Sequence, residues 1–288
     1  MLAPLKSDGS VRLGSLLIVL SAASFVAGGA AVKALAEELN PIALLFWRNA
    51  LSMLLVLVWF GVRGFPPLPT RWLAMHFLRS VLTYVGLVAF FVAVTHLPIA
   101  NAVLLRATNP LFVPILALIV YRRMSDLNVW VGVMTGLIGI ILVTAPDAAS
   151  WALSYGNAAG VFSGAMGGAA ALAIWALSKE ESPQTQIFYF SLISVACATL
   201  PLPWFWQLPG RESLPNLLYV ALFTTLAQAL LAAGCAIAPA DKILPWSYTA
   251  VVFGAVIGLL WWNEVPTLGT IVGMTLAIGG ASLASRRG

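Results

Sequence analysis

Apolar residues run through this chain in long unbroken stretches, separated by short segments rich in proline, glycine and asparagine. Stretches free of Asp, Glu, Lys and Arg extend from Leu13 to Val32, Leu127 to Pro146, Ala148 to Ser178, Ser182 to Gly210, Ser213 to Ala240, Ile243 to Asn263 and Val265 to Ser285, each 20 residues or longer. About 20 apolar residues cross the hydrocarbon of a bilayer as a helix. The pattern predicts helices at about 13–35, 41–60, 72–94, 98–120, 128–145, 158–178, 184–204, 214–236, 240–260 and 266–284. The breaks between them carry turn chemistry, such as Asn40-Pro41, the run from Gly64 to Pro69, Pro146-Asp147, Pro183 and Pro209-Gly210. A chain in lipid must satisfy its backbone internally, which a helix does. The predicted fold is therefore all-α and membrane-integral, with ten transmembrane helices.

Composition agrees and closes off other classes. The chain is 61% apolar and 9% charged, where soluble domains run near 25% charged. Ten spans of about 20 residues leave about 88 of the 288 positions for tails and connections, too few for a soluble domain. The net charge of +5 comes from basic residues scattered at span ends, which argues topology and not nucleic-acid binding. Lys6, Arg12, Arg63, Arg71, Arg122, Arg123, Lys179, Lys242, Arg286 and Arg287 fall on the side that carries the N-terminus, and only Lys33 and Arg211 on the other. Basic loops face the cytoplasm, so both termini are expected there, in a plasma or inner membrane. Leu13–Val32 is too long for a signal-peptide core and precedes many further spans, so it reads as a retained first helix. Cys197 and Cys235 fall inside predicted spans and suggest neither a disulfide nor a metal site.

The two halves look related. At an offset of 146, Gly14 and Lys33 fall on Gly160 and Lys179; at 141, Pro98, Gly132 and Gly139 fall on Pro239, Gly273 and Gly280. Residues 1–146 and 147–288 are then five-helix repeats, and an odd number of spans inverts the second relative to the first. Inverted repeats are a transporter architecture with the substrate site between them near the midplane.

Three arginines lie inside predicted spans: Arg48, Arg79 and Arg106. A central arginine costs about 2.5–3.5 kcal/mol on insertion scales, so these side chains should meet water or partners. Snorkelling or helix pinning is the competing reading, strongest for Arg79. In the fourth helix Pro110 leaves the Arg106 carbonyl without its helical donor, and Pro114 does the same for Pro110. Such breaks are tolerated at depth beside protein or a wet cavity. Asn101 and Thr108 share a face there, flanked by Arg106 and Asn109, while Pro245 breaks the ninth helix beside Trp246, Ser247 and Tyr248. A packing kink is the plain alternative at each proline. His76, Arg79 and Thr83 form one stripe on the third helix, with Tyr84 adjoining. Thr224 and Gln228 lie four apart on the eighth, where interhelical hydrogen bonding is the commoner role. Gly160, Gly164 and Gly168 suit close helix contact. Trp47 and Trp175 lie deeper than the interfacial tryptophans and are cavity candidates. No Asp or Glu falls at depth in a span, the two histidines are far apart in sequence, and no phosphate-binding glycine loop occurs. Neither a cofactor nor a metal is implied, and transport would be driven by a gradient or by exchange.

The segments PIALLFWRNALSMLLV from Pro41 and HLPIANAVLLRATNPLFVPILALIV from His96, with the half-endings GLIGIILV and GMTLAIGGASL, resemble the EamA family of the drug/metabolite transporter superfamily. The likeness covers nearly the whole chain, and the first half looks most like the branch that includes S-adenosylmethionine and related metabolite carriers. It implies alternating access through a cavity between helices 1–4 and 6–9, with helices 5 and 10 supporting the edge. Arg48 matches the family's second-helix arginine, and Asn109-Pro110 its pair in the fourth. The family's glutamate after the fourth helix is replaced around Arg123 and Met124, whereas Glu264 keeps its counterpart after the ninth.

The sequence thus points to a secondary transporter for a small zwitterionic or anionic metabolite, such as an amino acid or derivative, with a proton or an exchanged solute as the coupled partner. Arg48 and Arg106 would supply charge, and Asn101, Asn109, Tyr84, Trp47, Gln228, Trp246 and Tyr248 polar or stacking contacts, with Pro110, Pro114 and Pro245 as helix breaks. The alternatives are a lipid or glycolipid flippase of the same fold and, further off, a membrane enzyme on a lipid-linked substrate.

Overall fold

In the computed structural model, described for residues 8–35, 38–96, 105–122, 124–144, 155–262 and 268–286, ten helices of 13 residues or more follow one another, with no strand among the described residues. They are α1 (Asp8–Leu35), α2 (Pro41–Arg63), α3 (Leu73–His96), α4 (Asn109–Tyr121), α5 (Leu127–Thr144), α6 (Tyr155–Leu177), α7 (Pro183–Thr199), α8 (Leu214–Ile237), α9 (Thr249–Trp262) and α10 (Leu268–Ala284). Local chemistry sets several starts. Asn40 caps α2 by accepting from the Ala43 N–H at 2.9 Å, with Pro41 in the first turn. Ser182 and Pro183 repeat the device at α7.

Prolines shorten three predicted helices. The seventh, expected to 204, ends at Thr199: Pro201 has no N–H to bond back into the helix, and a separate short turn of helix, Leu202–Phe205, follows it. The ninth, expected over 240–260, is a turn of helix at Ala240–Ile243, a 3₁₀ segment at Leu244–Tyr248 and then α9, because Pro245 cannot bond back to Asp241. In the fourth, residues 98–104 lie outside the described part; Leu105 and Arg106 are helical, Ala107 and Thr108 form a turn, and α4 restarts with Pro110 in its first turn.

Five helices among the described residues are long and apolar enough to cross a membrane: Gly9–Gly29, Pro41–Arg63, Leu73–Phe90, Tyr155–Leu177 and Arg211–Ile237. Their outward faces are apolar. On α2, Leu54, Val58 and Val62 recur every fourth residue and are 54%, 56% and 79% exposed, whereas Leu45, Asn49, Val56 and Phe60 are buried. Water would penalise such a surface and lipid hydrocarbon would not.

The helices pair across the halves: α1 packs most extensively on α8, α3 on α6, and α5 on α10. Glycines set the last seam. A methyl group at Gly132 would run into the Gly280 carbonyl, and one at Gly139 into the Gly273 carbonyl, so α5 and α10 cross backbone to backbone and antiparallel. These are the glycines that the 141-residue offset superposes. Gly164 and Gly168 of α6 likewise admit Thr108, Asn109 and Phe112. Val11 and Arg12 share one cleft with Ser285 and Arg286, so both chain ends lie at one end of the bundle, the terminal end.

Candidate functional site

Between the halves lies a small cavity of about 30 Å³ with Arg48 and Arg106 both on its wall. Helical spacing aims pairs of side chains at it: Arg48 and Ser52 from α2, Thr83 and Leu87 from α3, Thr224 and Gln228 from α8, each pair four residues apart. Phe25 of α1 and Ile187, Phe190 and Ser191 of α7 complete it, together with Asn49 and Thr225. Among the described residues the lining contains no carboxylate.

Among the described residues, each guanidinium hydrogen-bonds to neutral acceptors. Arg48 donates through Nε and Nη2 to Asn49 Oδ1 at 3.2 and 2.6 Å, and Asn49 in turn donates to the Ser194 carbonyl of α7 at 3.2 Å. Arg106 Nη1 donates to Ser163 Oγ of α6 at 2.9 Å and to the Gly86 carbonyl of α3 at 3.4 Å, while Ser163 also donates to that carbonyl at 2.8 Å. The Arg106 guanidinium lies 5.2 Å from the centre of the Phe90 ring. Its place follows from the broken fourth helix: Pro110 cannot close the Arg106 turn, and Thr108 Oγ1 instead donates to the Leu105 carbonyl at 2.6 Å. The ion pairs among the described residues are His76–Glu181 and Lys242–Asp126, so neither cavity arginine has an acidic partner there.

Of the residues singled out in the sequence, the cavity brings together Arg48, Arg106 and Gln228, with Thr83 and Thr224. Asn109 sits one turn beyond Arg106, against Gly167. Tyr84 is half-buried and outside the cavity wall. Trp47 lies at the far end of the bundle, donating to the Gln207 carbonyl at 2.9 Å and packing beside Trp206. Trp246 donates to Ser285 Oγ at 2.7 Å by the terminal-end cleft. Tyr248 is 1% exposed, wedged on Gly136 and Ala277, with its hydroxyl donating to the Val133 carbonyl. All three fill seams away from the arginines: Trp47 packs near the start of α2, and the 3₁₀ segment Leu244–Tyr248 turns Trp246 and Tyr248 toward α10. Pro114 is buried inside α4 and Pro245 in the 3₁₀ turn. Asn101 and Glu264 lie outside the described residues. Arg79 is fully buried away from the cavity, its Nη1 donating to the Gln186 carbonyl at 2.9 Å and its Nη2 to Gln228 Oε1 at 3.3 Å.

Asn49 and Ser163 are what sequence reading missed. Asn49 is adjacent to Arg48, a signal in plain view; Ser163 is 57 residues from Arg106 and meets it only because Gly86 and Gly164 let three helices converge. Ser163→Ala should leave the fold intact and lower transport about tenfold, or roughly 1.4 kcal/mol, by loosening Arg106; uptake kinetics in proteoliposomes check it.

An apolar-surfaced helical bundle with a charged chamber between its halves defines a multi-pass membrane protein of transporter type. Residues 12–145 and 153–286 each match the EamA-like transporter family, and the chain belongs to it. It is 28% identical over 271 residues to the pseudopaline exporter CntI of Pseudomonas aeruginosa, covering 93% of this chain and 94% of that one. It is 28% identical over 225 residues to a riboflavin transporter of Vibrio cholerae, 76% and 74% covered. An S-adenosylmethionine uptake transporter of Rickettsia bellii is 24% identical over 276 residues, 93% and 91% covered. A solved crystal structure superposes with a TM-score of 0.80 at 16% identity, over 94% of this chain and 96% of that one, which shows the shared fold.

Proposed function

We propose that the chain is a secondary transporter that moves a small anionic or zwitterionic metabolite, of amino-acid type or a derivative, by alternating access between two inverted five-helix repeats. The observation that carries this is the pair of arginines on one cavity wall with no acid facing them. Two cations sharing a low-dielectric site repel each other and lack a counter-charge, which a carboxylate solute would supply. A hydroxyl- and amide-rich lining suits a polar solute better than a lipid tail. Its volume of about 30 Å³ holds about two waters, so binding requires the helices around Arg48 and Arg106 to separate. The antiparallel α5–α10 seam and the exchange of partners between halves support the inverted repeat, and the basic bias of the terminal end supports cytoplasmic termini.

The named relatives are carriers of chemically different small molecules, one an exporter and one an uptake carrier. The test is flux into liposomes holding the purified protein, with labelled glutamate, serine, S-adenosylmethionine and riboflavin in parallel. Faster entry of a carboxylate-bearing solute than into protein-free vesicles is the expected result. Entry of none of the three carboxylate-bearing solutes would count against the substrate class.

A further inference from the structure

About two turns from the cavity toward the terminal end, the structure buries a second polar group that no transport contact explains. His76 of α3, fully buried, sits with Nε2 2.7 Å from Glu181 Oε2, although Glu181 belongs to the turn between α6 and α7 and so to the other half. Thr70, from the connection between α2 and α3, donates to the other oxygen of that carboxylate. Tyr189 of α7 stacks on the imidazole at 4.7 Å and donates its hydroxyl to the Leu68 carbonyl at 3.0 Å. These contacts knit the halves together at the terminal end, beside the cavity.

The group is incompletely satisfied. Of the five buried side-chain polar atoms without a partner among the described residues, four lie here: His76 Nδ1, Arg79 Nε, Ser80 Oγ and Gln186 Oε1. Buried polar atoms are ordinarily paired, so four such atoms on α3 and α7 call for a role beyond packing. With no protein acceptor at Nδ1 among the described residues, a neutral ring protonated at Nε2 fits the closed geometry. In that form the imidazole donates its Nε2–H to Glu181, whose carboxylate favours a charged ring while Arg79 and burial oppose one. The other groups facing the ring from packed elements are Tyr189 and Gln186 of α7, and Gln228 of α8 by way of Arg79; Lys179 and Glu180 of the turn are exposed. A proton added at Nδ1 would make a buried N–H with no acceptor and a second cation one turn from Arg79. Separation of the halves would give that N–H to water.

We infer that His76, with Glu181 and Arg79 around it, is a proton-binding site that gates the terminal end of the bundle: one proton taken up at Nδ1 opens the contact, and its loss to the aqueous phase lets the contact re-form. Resting on the carrier reading above, this gives a proton gradient a means of driving the cycle. Gln228 ties the site to the chamber, since it both lines the cavity and accepts from Arg79.

The test needs no solute, so it can fail while the carrier reading stands, and the reverse. The chain has two histidines, so isotope-labelled histidine in a His96→Gln background gives one imidazole signal to titrate. In parallel, Ser80→Cys in a Cys197→Ala, Cys235→Ala background reports opening through its rate of alkylation by N-ethylmaleimide, each rate divided by that of the same protein carrying His76→Gln at the same pH. Expected are an imidazole inflection between about pH 5 and 8, a relative alkylation rate at least tenfold higher at the acid end, and a displaced midpoint in Glu181→Gln. An imidazole that keeps one protonation state across that range would overturn the proposal. So would a rate ratio that stays flat.

Discussion

Arg106→Ala and Arg48→Ala are each expected to weaken binding of a carboxylate solute by about 30- to 4,000-fold, the effect of truncating one partner of a buried, hydrogen-bonded charge pair, about 2–5 kcal/mol. Lysine should rescue only part of this, because its ammonium cannot reproduce the Nε and Nη2 pair that Arg48 gives Asn49 or the planar guanidinium that Arg106 lays beside Phe90. Replacing either arginine by methionine should act in the opposite direction on the empty protein. Among the described residues each guanidinium there hydrogen-bonds to neutral partners, and both line one cavity. Arg48→Met or Arg106→Met removes a buried, unbalanced charge, and such replacements are often stabilising by about 1–4 kcal/mol. Melting curves with and without solute therefore separate the two roles: the variants should melt higher when empty and gain nothing from the solute. Variants that melt lower in both conditions would make the arginines structural pins.

Gly132→Val should be the most damaging single change to the fold outside the site. Its side chain would meet the Gly280 carbonyl, the Ala284 nitrogen and the Ala284 methyl together, and backbone cannot yield as a flexible side chain can. Overpacking of this kind costs about 1–3 kcal/mol in a well-packed interior, and a β-branched residue facing a backbone seam sits at the upper end. A fall of about 6–12 °C in melting temperature follows from 3 kcal/mol at 2–4 °C per kcal/mol. Gly279→Val is the control, since a side chain there meets open space. Equal melting of the two variants would show that the α5–α10 seam is not a tight backbone contact.

The helices were legible because lipid imposes one rule on every span, so long charge-free runs mark them without knowledge of their neighbours. Proline effects were legible where the proline acts on its own helix, as at Pro110, but their extent was not: Pro245 changes Leu244–Tyr248 to 3₁₀ and thereby turns Trp246 and Tyr248 toward α10, which depends on what packs there. Arg48, Arg106 and Gln228 could be picked out because polar groups at depth are expensive wherever they fall. Glu181 could not. By sequence it belongs to a polar turn next to Lys179 and Glu180, and only the folding of that turn onto α3 brings its carboxylate to His76. Ser163 was hidden for the same reason, since a serine in a glycine-rich helix reads as spacing until Arg106 is seen to reach it. Interhelical pairing is thus where single-sequence reasoning runs out here.

The central claim is that two unpaired arginines select a solute by its negative charge. The most direct measurement compares one carboxylate solute with its own methyl ester, matched in shape and differing in charge, by thermal shift of the purified protein and of Arg48→Ala. A ligand that binds the folded state raises its melting temperature, by an amount that grows with the logarithm of its concentration above Kd. The acid should stabilise the parent protein, the ester should not, and Arg48→Ala should respond to neither. Equal stabilisation of the parent by acid and ester would contradict the claim.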